Sequence, residues 1–280
     1  MDRLVSYRCA LHCFSVANSN MAHRLGRPQE EIKIIFEKAY RPLDNGIGTV
    51  AKSSKTLLAW SSGKDSAWAL RLLRLQGVEV GALLTTINQG ADRVAMHGVR
   101  RSLLEAQAES AGVRLWPVPL PWPCTNDDYE LRMAAACRQA VAEGFDSIAF
   151  GDLYLRDVRQ YRERQLAGSG LQPLFPLWEL PTGALAREMI AGGVRACICC
   201  LDSRVLDARF AGREFDTALL DELTGCPLGP VDPCGENGEF HTFAYDGPMF
   251  RAPIACERGE TRDVGGFIYT DLIPCPASSR

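Results

Sequence analysis

From residue 56 onward, short apolar runs alternate with longer stretches in which apolar and polar positions recur at helical spacing. The apolar runs predict four strands, at residues 56–60, 78–87, 113–120 and 145–152. The longer stretches end at glycines and predict three helices, at residues 66–77, 97–112 and 126–144. Strict alternation with short connections predicts βαβ units in one parallel sheet, with the turns that follow the strands along a single edge.

The alternation stops after about residue 164. A proline-rich apolar segment precedes two predicted helices and four predicted strands, the helices at 182–193 and 214–225 and the strands at 194–201, 239–247, 250–257 and 265–272. The predicted fold class is therefore α/β, a Rossmann-like parallel sheet with flanking helices, followed by a smaller mixed α+β C-terminal domain. Residues 1–55, with one predicted helix at 27–43, form an N-terminal extension that we expect to be poorly ordered, a partner-binding arm being the alternative.

Composition narrows the class of protein. Hydrophobic residues make up 46% and charged residues 23% of the 280, which is typical of a soluble globular protein. The net charge of −3 leaves no broad basic field, so a large nucleic-acid footprint is not expected. Eleven cysteines, no signal-peptide pattern and no membrane-length apolar run predict a cytoplasmic protein with reduced thiols. The oligomeric state stays open, a homodimer included.

The stretch SSGKDS separates the first predicted strand from the first predicted helix. Backbone N–H groups of such a turn, at a helix N-terminus, converge on an anion, and Lys64 adds charge. Asp65 is predicted to cap the helix, and the flanking serines supply hydroxyl groups. A Walker A loop needs a glycine at the position of Leu58 and a Ser or Thr at the position of Asp65, so this stretch is not a Walker A loop. The alternative is an ordinary capped turn; the candidate phosphate loop comprises Ser61, Ser62, Gly63, Lys64, Asp65 and Ser66.

A second dense stretch spans residues 232–250. Two carboxylates, an amide and an imidazole fall within six residues, at Glu236, Glu239, Asn237 and His241. Strand alternation places Glu239 and His241 on one face and Thr242 on the other. The cluster predicts a substrate or Mg²⁺ pocket or an acid–base pair, whereas a solvent-exposed polar hairpin is the alternative.

Both stretches resemble known families. SSGKDS resembles the S-G-G-x-D-S loop of the N-type ATP pyrophosphatases, the PP-loop branch of the adenine nucleotide alpha hydrolases (HUP domains), with Ser62 in place of a glycine. A serine adopts a positive φ only at a cost. The stretch GENGEFHT resembles the G-E-x-G-E-[FY]-x-T signature of the diphthine–ammonia ligase (diphthamide synthase) family. The resemblance runs from Thr56 to about Phe250 and is closer to the bacterial members.

The resemblance implies an ATP-binding PP-loop HUP domain at 56–165 and a substrate-side domain at 166–280. It implies ATP and Mg²⁺ as cofactors, a small-molecule or protein carboxylate as acceptor, and ammonia as the second substrate, giving an amide, AMP and pyrophosphate. The implied catalytic residues are Lys64, Asp65, Glu236 and Glu239, with Asp65 also on Mg²⁺. ATP contacts are implied for residues 61–66, His97, Gly151 and Asp152, and acceptor contacts for Arg159, Arg162, Asn237, His241 and Thr242.

Other interpretations stay open at this point. The same loop suits adenylation of a different small acceptor, an ATP-binding sensor without turnover, or a tRNA-modifying PP-loop enzyme. The arginines of residues 156–164 also suit a solvated helix face, and His97 suits a helix cap. Cysteines 197, 199 and 200 lie in an apolar run typical of a buried strand rather than in a zinc spacing, and Cys234 is the better candidate for a reactive thiol.

Overall fold

The computed structural model describes residues 55–275. The N-terminal extension and its predicted helix at 27–43 lie outside the described residues. Across the described part of the chain, no helix has the length and apolar composition needed to cross a bilayer. Two sheets organise the fold, one mainly parallel and one antiparallel.

The first sheet contains six strands: β1 (Lys55–Ala59), β2 (Glu79–Asn88), β3 (Arg93–Val94), β4 (Arg114–Leu120), β5 (Ser147–Ala149) and β6 (Gln172–Leu174). Five of them run parallel, with β2 pairing with both β4 and β1, β1 with β5, and β5 with β6. Four helices alternate with the strands: α1 (Lys64–Leu75), α2 (Arg101–Ala111), α3 (Asn126–Ala142) and α4 (Arg156–Leu166). The predicted βαβ architecture is confirmed, and the short antiparallel β3 was not predicted because two residues carry no periodicity.

The second sheet has the order β8–β7–β10–β9. Its elements are α5 (Thr182–Ala191), β7 (Arg195–Asp202), α6 (Thr217–Thr224), β8 (Phe240–Asp246), β9 (Cys256–Val264) and β10 (Phe267–Pro274), with a 3₁₀ turn at Ala208–Phe210. The strand predicted at 250–257 is wrong, since β9 begins only at Cys256. Every residue of β9 is exposed or half-buried, because it is an edge strand, so the apolar alternation that predicts strands is missing there.

One continuous core joins the two sheets, with residues of β1 and α1 packed in the same cluster as residues of β7 and β8. Strand β6 belongs to the first sheet although it follows the predicted boundary at residue 165. Strand β7 lies between β8 and β10, and its three cysteines are buried as predicted. Burial raises the pKa of Cys197 and Cys200 to about 12, so these thiols stay protonated and unreactive at neutral pH.

Candidate active site

The candidate phosphate loop lies between β1 and α1, at the carboxyl edge of the parallel sheet. Its serine hydroxyls shape it: Ser61 Oγ accepts from Gly63 N–H at 3.3 Å, and Ser66 Oγ donates to Gly63 O at 2.9 Å. Helix α1 has Gly63 as its N-cap, without a side-chain cap. The predicted capping role of Asp65 is therefore wrong, because Asp65 lies inside the first turn of α1 and turns its carboxylate to Lys64.

Ser62 adopts the left-handed conformation that its glycine counterpart would tolerate, with φ of 70°. The side chain is completely buried, and its hydroxyl has no hydrogen-bond partner within the described residues. The Ser62 carbonyl accepts two hydrogen bonds, from Ala244 N–H at 2.9 Å and from Gln107 Nε2 at 3.0 Å. The second sheet and α2 thus hold this strained residue in place.

We expect Ser62→Gly to raise the free energy of unfolding. A left-handed non-glycine residue costs about 1–2 kcal/mol and an unsatisfied buried hydroxyl about 1–3 kcal/mol, against about 1 kcal/mol of extra chain entropy lost by glycine. The net gain is about 1–4 kcal/mol, and each kcal/mol raises the melting temperature by roughly 2–4 °C. Differential scanning calorimetry measures it. Ser62→Ala is the control, since alanine removes the hydroxyl but keeps the positive φ; equal stability of the two variants would contradict the strain.

Strand β8 covers the phosphate loop. Lys64 N–H donates to Thr242 Oγ1 at 3.1 Å, and a ring nitrogen of His97 lies 3.3 Å from the Thr242 carbonyl oxygen. The rings of His97 and His241 lie 4.6 Å apart between centroids. A Cβ atom at Gly63 would lie 3.1 Å from Thr242 O, tighter than an ordinary contact, so glycine lets β8 approach the loop this closely. The structure therefore brings four predicted site residues from distant stretches into contact.

Both imidazoles are neutral at physiological pH. Burial lowers the pKa of His241 to about 4, and the nearby Lys64 charge adds to this effect. Burial and the facing His241 ring lower the pKa of His97 well below its usual range. The pair thus offers uncharged rings and ring nitrogens beside the loop.

Lys64 is buried, and its ammonium makes two hydrogen bonds. Nζ donates to Asp65 Oδ2 at 2.9 Å and to the Cys234 carbonyl at 2.5 Å. The rings of Phe215 and Phe240 lie 5.2 Å and 5.4 Å from Nζ. Burial alone would lower the Lys64 pKa, but the charges led by Asp65 outweigh it and raise the pKa. Lys64 thus ties α1 to the second motif through its charge.

The second motif forms a turn at residues 232–239, organised around a buried carboxylate. Glu239 Oε1 accepts from Asp232 N–H at 3.0 Å and from Asn237 Nδ2 at 2.9 Å, and Oε2 accepts from Asn237 N–H at 3.0 Å. Asp232 in turn accepts from the N–H groups of Cys234 and Glu236 and from the Thr182 hydroxyl. Asp232 was not predicted as a site residue, although an Asp–Pro pair ahead of a glycine turn is a signal for such side-chain-to-backbone bonding.

The turn presents Glu236 to the carboxyl end of β5. Its Oε1 accepts from Leu153 N–H at 2.8 Å and from Tyr154 N–H at 3.3 Å, and Tyr154 OH donates to Asn237 Oδ1 at 3.1 Å. Burial, with Asp65 and Asp152 nearby, raises the pKa of Glu236 to about 8. A carboxyl group poised near neutral pH is suited to general acid–base chemistry.

The remaining predicted contacts lie beside this turn. A side chain at Gly151 would come within 3.2 Å of the backbone at Asp65 and Ser66, so glycine lets the β5 loop pack against α1. Asp152 accepts two hydrogen bonds from Arg162, at 2.5 Å and 3.0 Å, and the Arg162 guanidinium lies 4.3 Å from the Phe150 ring centroid.

Arg159 has a different set of partners. It pairs with Glu163 at 2.7 Å and stacks on the rings of Phe175 and Trp178. Its acceptor contact, like that of Arg162, stays a prediction.

Cys234 is a poor candidate for a covalent intermediate. Its side chain is buried, and Sγ donates to the Thr182 carbonyl at 3.5 Å. Burial raises the pKa of this thiol well above its usual range, which removes the thiolate needed for attack.

The raised pKa of Glu236 makes a prediction about stability. The folded protein binds this proton more tightly than the unfolded chain, so stability falls as pH rises from 4.5 to about 8. The two histidines, whose pKa values are lowered in the folded protein, contribute a rise of stability with pH near 6.5, but this contribution is the same in the native protein and in Glu236→Gln and cancels when the two are compared. Between pH 6.5 and 8, we expect the free energy of unfolding of Glu236→Gln to fall by up to about 1.5 kcal/mol less than that of the native protein.

Urea unfolding at several pH values measures this slope. The matched control is Glu257→Gln, because Glu257 is an exposed residue of β9. An unchanged slope in Glu236→Gln would show that Glu236 is already ionised at pH 6.5.

A mainly parallel open sheet with a candidate phosphate loop at its first β–α turn is the arrangement typical of nucleotide-binding α/β proteins. Residues 54–173 match the family model described as the diphthamide synthase N-terminal domain, and residues 182–269 match the diphthamide synthase C-terminal domain. The chain belongs to the diphthamide synthase family.

Several curated relatives are named diphthine–ammonia ligase. The Danio rerio protein is 32% identical over 123 residues, 41% of this chain and 46% of that protein. The Homo sapiens protein is 33% identical over 139 residues, 48% and 49% of the two chains, and the Bos taurus protein is 27% identical over 219 residues, 71% and 82%. The alignments thus span just under half of the Danio rerio and Homo sapiens proteins.

Among solved structures, the U34-tRNA thiolase NcsA from Methanococcus maripaludis, with its [4Fe-4S] cluster, is 19% identical at a TM-score of 0.37. The match covers 58% of this chain and 65% of that one. This likeness is too weak to bear on function.

Proposed function

We propose that this protein is an ATP-dependent ligase that activates an acceptor carboxylate as its adenylate and converts it to an amide with ammonia. One observation carries the proposal: the turn of the second motif and strand β8 lie directly on the phosphate loop, through the bond from Lys64 N–H to Thr242 and the bond from Lys64 Nζ to Cys234 O. The proposed ATP loop and the proposed acid–base group are thus neighbours, as adenylation followed by amide formation requires.

The phosphate loop accounts for nucleotide binding. Backbone N–H groups at the start of α1 and the positive end of its dipole favour the phosphates of ATP. In the described structure the hydroxyls of Ser61 and Thr242 accept from two of these N–H groups, at Gly63 and Lys64. When ATP binds, a phosphate oxygen takes the place of the Ser61 hydroxyl at Gly63 N–H. His97, Gly151 and Asp152 flank the loop on the nucleotide side in this proposal.

Asp65 is suited to hold Mg²⁺. Its Oδ1 is buried and has no hydrogen-bond partner within the described residues, as a cation ligand would be in the absence of the ion. No three His, Cys, Asp or Glu side chains of residues 55–275 are grouped as a metal site. Mg²⁺ is commonly held by one or two carboxylates together with substrate phosphates and water, and when bound it neutralises charge on the pyrophosphate leaving group.

Amide formation needs a base. Ammonia attacks the acyl carbon of the adenylate, the bond to the AMP phosphate oxygen breaks, and one proton leaves the new nitrogen. We assign that proton to Glu236, whose carboxyl group lies against the Leu153 and Tyr154 amides beside Asp65. Asn237, His241, Thr242 and the arginines Arg159 and Arg162 line the acceptor side. The relatives' name points to a diphthine-like carboxylate, small or protein-borne, as the acceptor class.

The test is product analysis. The protein is incubated with ATP, Mg²⁺ and ¹⁵N-ammonium, with and without a metabolite and protein extract, and nucleotides are separated by chromatography. AMP and pyrophosphate, with ¹⁵N in an acceptor amide, support the proposal. Asp65→Asn should abolish both, whereas Asp221→Asn, an exposed aspartate of α6, should leave them unchanged. ADP as product, or ATP binding without turnover in the extract, contradicts it.

A further inference from the structure

One fully buried polar side chain outside both motifs contacts the phosphate loop. Gln107, on α2, has no exposed surface and no role in the chemistry proposed above. Its Oε1 accepts from the indole N–H of Trp60 at 2.9 Å. Its Nε2 donates to the carbonyls of Ser62 at 3.0 Å and Ala244 at 2.6 Å.

The surroundings leave the Gln107 amide one orientation. An indole N–H is only a donor, and backbone carbonyls are only acceptors. A flipped amide would face the Trp60 N–H with an NH₂ group and two carbonyl oxygens with its own oxygen. Each flipped contact would set donor against donor or acceptor against acceptor in a fully buried site, so the three neighbours fix the orientation of the amide.

This amide also controls the direction of a loop peptide. Ser62 C=O and Gly63 N–H belong to one planar trans peptide and point in opposite directions. Gln107 and Ala244 N–H together hold the carbonyl on the side of α2 and β8. The Gly63 N–H therefore points the other way, toward Ser61 Oγ and the anion site. If this peptide flipped, it would present a carbonyl oxygen to the phosphates.

From these contacts we infer that Gln107 is a positioning residue for ATP: it fixes the Ser62–Gly63 peptide so that Gly63 N–H faces the phosphates, and it couples that peptide to β8 of the substrate-side sheet. The inference rests on the proposed function for its ligand, but the loop geometry is independent of it. Ala244 is two residues from Thr242, so the same amide links the strand that covers the loop to the loop itself.

Two variants test this role. Gln107→Met keeps the length of the side chain and removes all three hydrogen bonds, so hydrogen–deuterium exchange of the segment 60–66 should accelerate about tenfold while that of α3 stays unchanged. The glutamate of Gln107→Glu donates a hydrogen bond only when it is protonated, and then to one of the two carbonyls; when ionised it donates none. Its ATP affinity, measured by calorimetry, should be within about threefold of the native protein at pH 6 and at least about tenfold weaker at pH 8.

Gln139→Glu is the control for the second variant, since Gln139 is exposed on α3. The ratio of its ATP affinity to that of the native protein should not change with pH. Unchanged exchange of segment 60–66 in folded Gln107→Met overturns the positioning role. A pH-independent affinity ratio for Gln107→Glu overturns it as well. Absence of ATP binding by the native protein overturns the proposed function instead, while the exchange result still decides the loop geometry.

Discussion

Lys64→Met should lower the free energy of unfolding by about 3–5 kcal/mol, because removing one partner of a buried ion pair leaves the other uncompensated. The ammonium is buried between Asp65 and the Cys234 carbonyl. Methionine fills most of the volume but leaves a carboxylate and a carbonyl without a donor. Urea unfolding monitored by circular dichroism measures the change, and AMP formation should disappear with it.

Two further variants separate charge from packing. Lys55→Met is the matched control, because the Lys55 ammonium lies over the Phe145 ring and is only half-buried; its stability should change by less than about 1 kcal/mol. Adding Asp65→Asn to Lys64→Met should recover at least about 1 kcal/mol, since the uncompensated charge is then gone. A double variant no more stable than Lys64→Met would contradict the ion-pair explanation.

Glu239→Ala should reduce amide formation at least about 100-fold, the scale of a lost general acid–base group. The Glu239 carboxylate accepts three N–H bonds inside the turn at 232–239, so its removal leaves buried donors unsatisfied and releases Glu236 from the β5 loop. ATP affinity should change less than about threefold, because the Ser62–Gly63 peptide is held by Gln107 and Ala244, which lie outside that turn. Product formation and ATP calorimetry provide the two measurements.

Glu239→Gln sharpens this experiment. Glutamine retains one acceptor oxygen, so turnover should lie between that of the native protein and that of Glu239→Ala. Glu257→Ala, an exposed change in β9, should alter neither measurement. If Glu239→Ala lost ATP affinity alone, with turnover intact at saturating ATP, the turn would belong to the nucleotide site and its assignment to the acceptor side would be wrong.

Parts of the site were predictable because they lie in local sequence. The place of SSGKDS between an apolar run and an amphipathic helix predicts an anion-binding turn, and the strain predicted for a serine at a glycine position of that turn is present at Ser62, whose φ is 70°. Helix capping by Asp65 was wrong, because capping depends on backbone angles that composition does not determine. Asp232 was missed because a single aspartate in a turn has no periodicity to mark it.

Gln107 was out of reach for another reason. In sequence it is one polar residue of an amphipathic helix, indistinguishable from Gln139, which is exposed on α3. Its importance comes from contacts with residues 45 and 137 positions away, at Ser62 and Ala244. The sequence analysis assigned Asp152 to ATP and Arg162 to the acceptor. The structure pairs these two residues with each other, which the sequence did not indicate.

The sequence by itself determined the parallel βαβ sheet, the buried cysteine strand and the two motifs, because periodic burial and turn chemistry are local properties of the chain. The tertiary structure alone decided that the two motifs lie against each other. That meeting depends on β7 and β8 pairing in a register that sets Thr242 against Lys64 and Ala244 against Ser62, contacts made across 178 and 182 residues of chain. Non-local contacts of this kind come from packing the two sheets over one core, and short-range sequence patterns do not predict them.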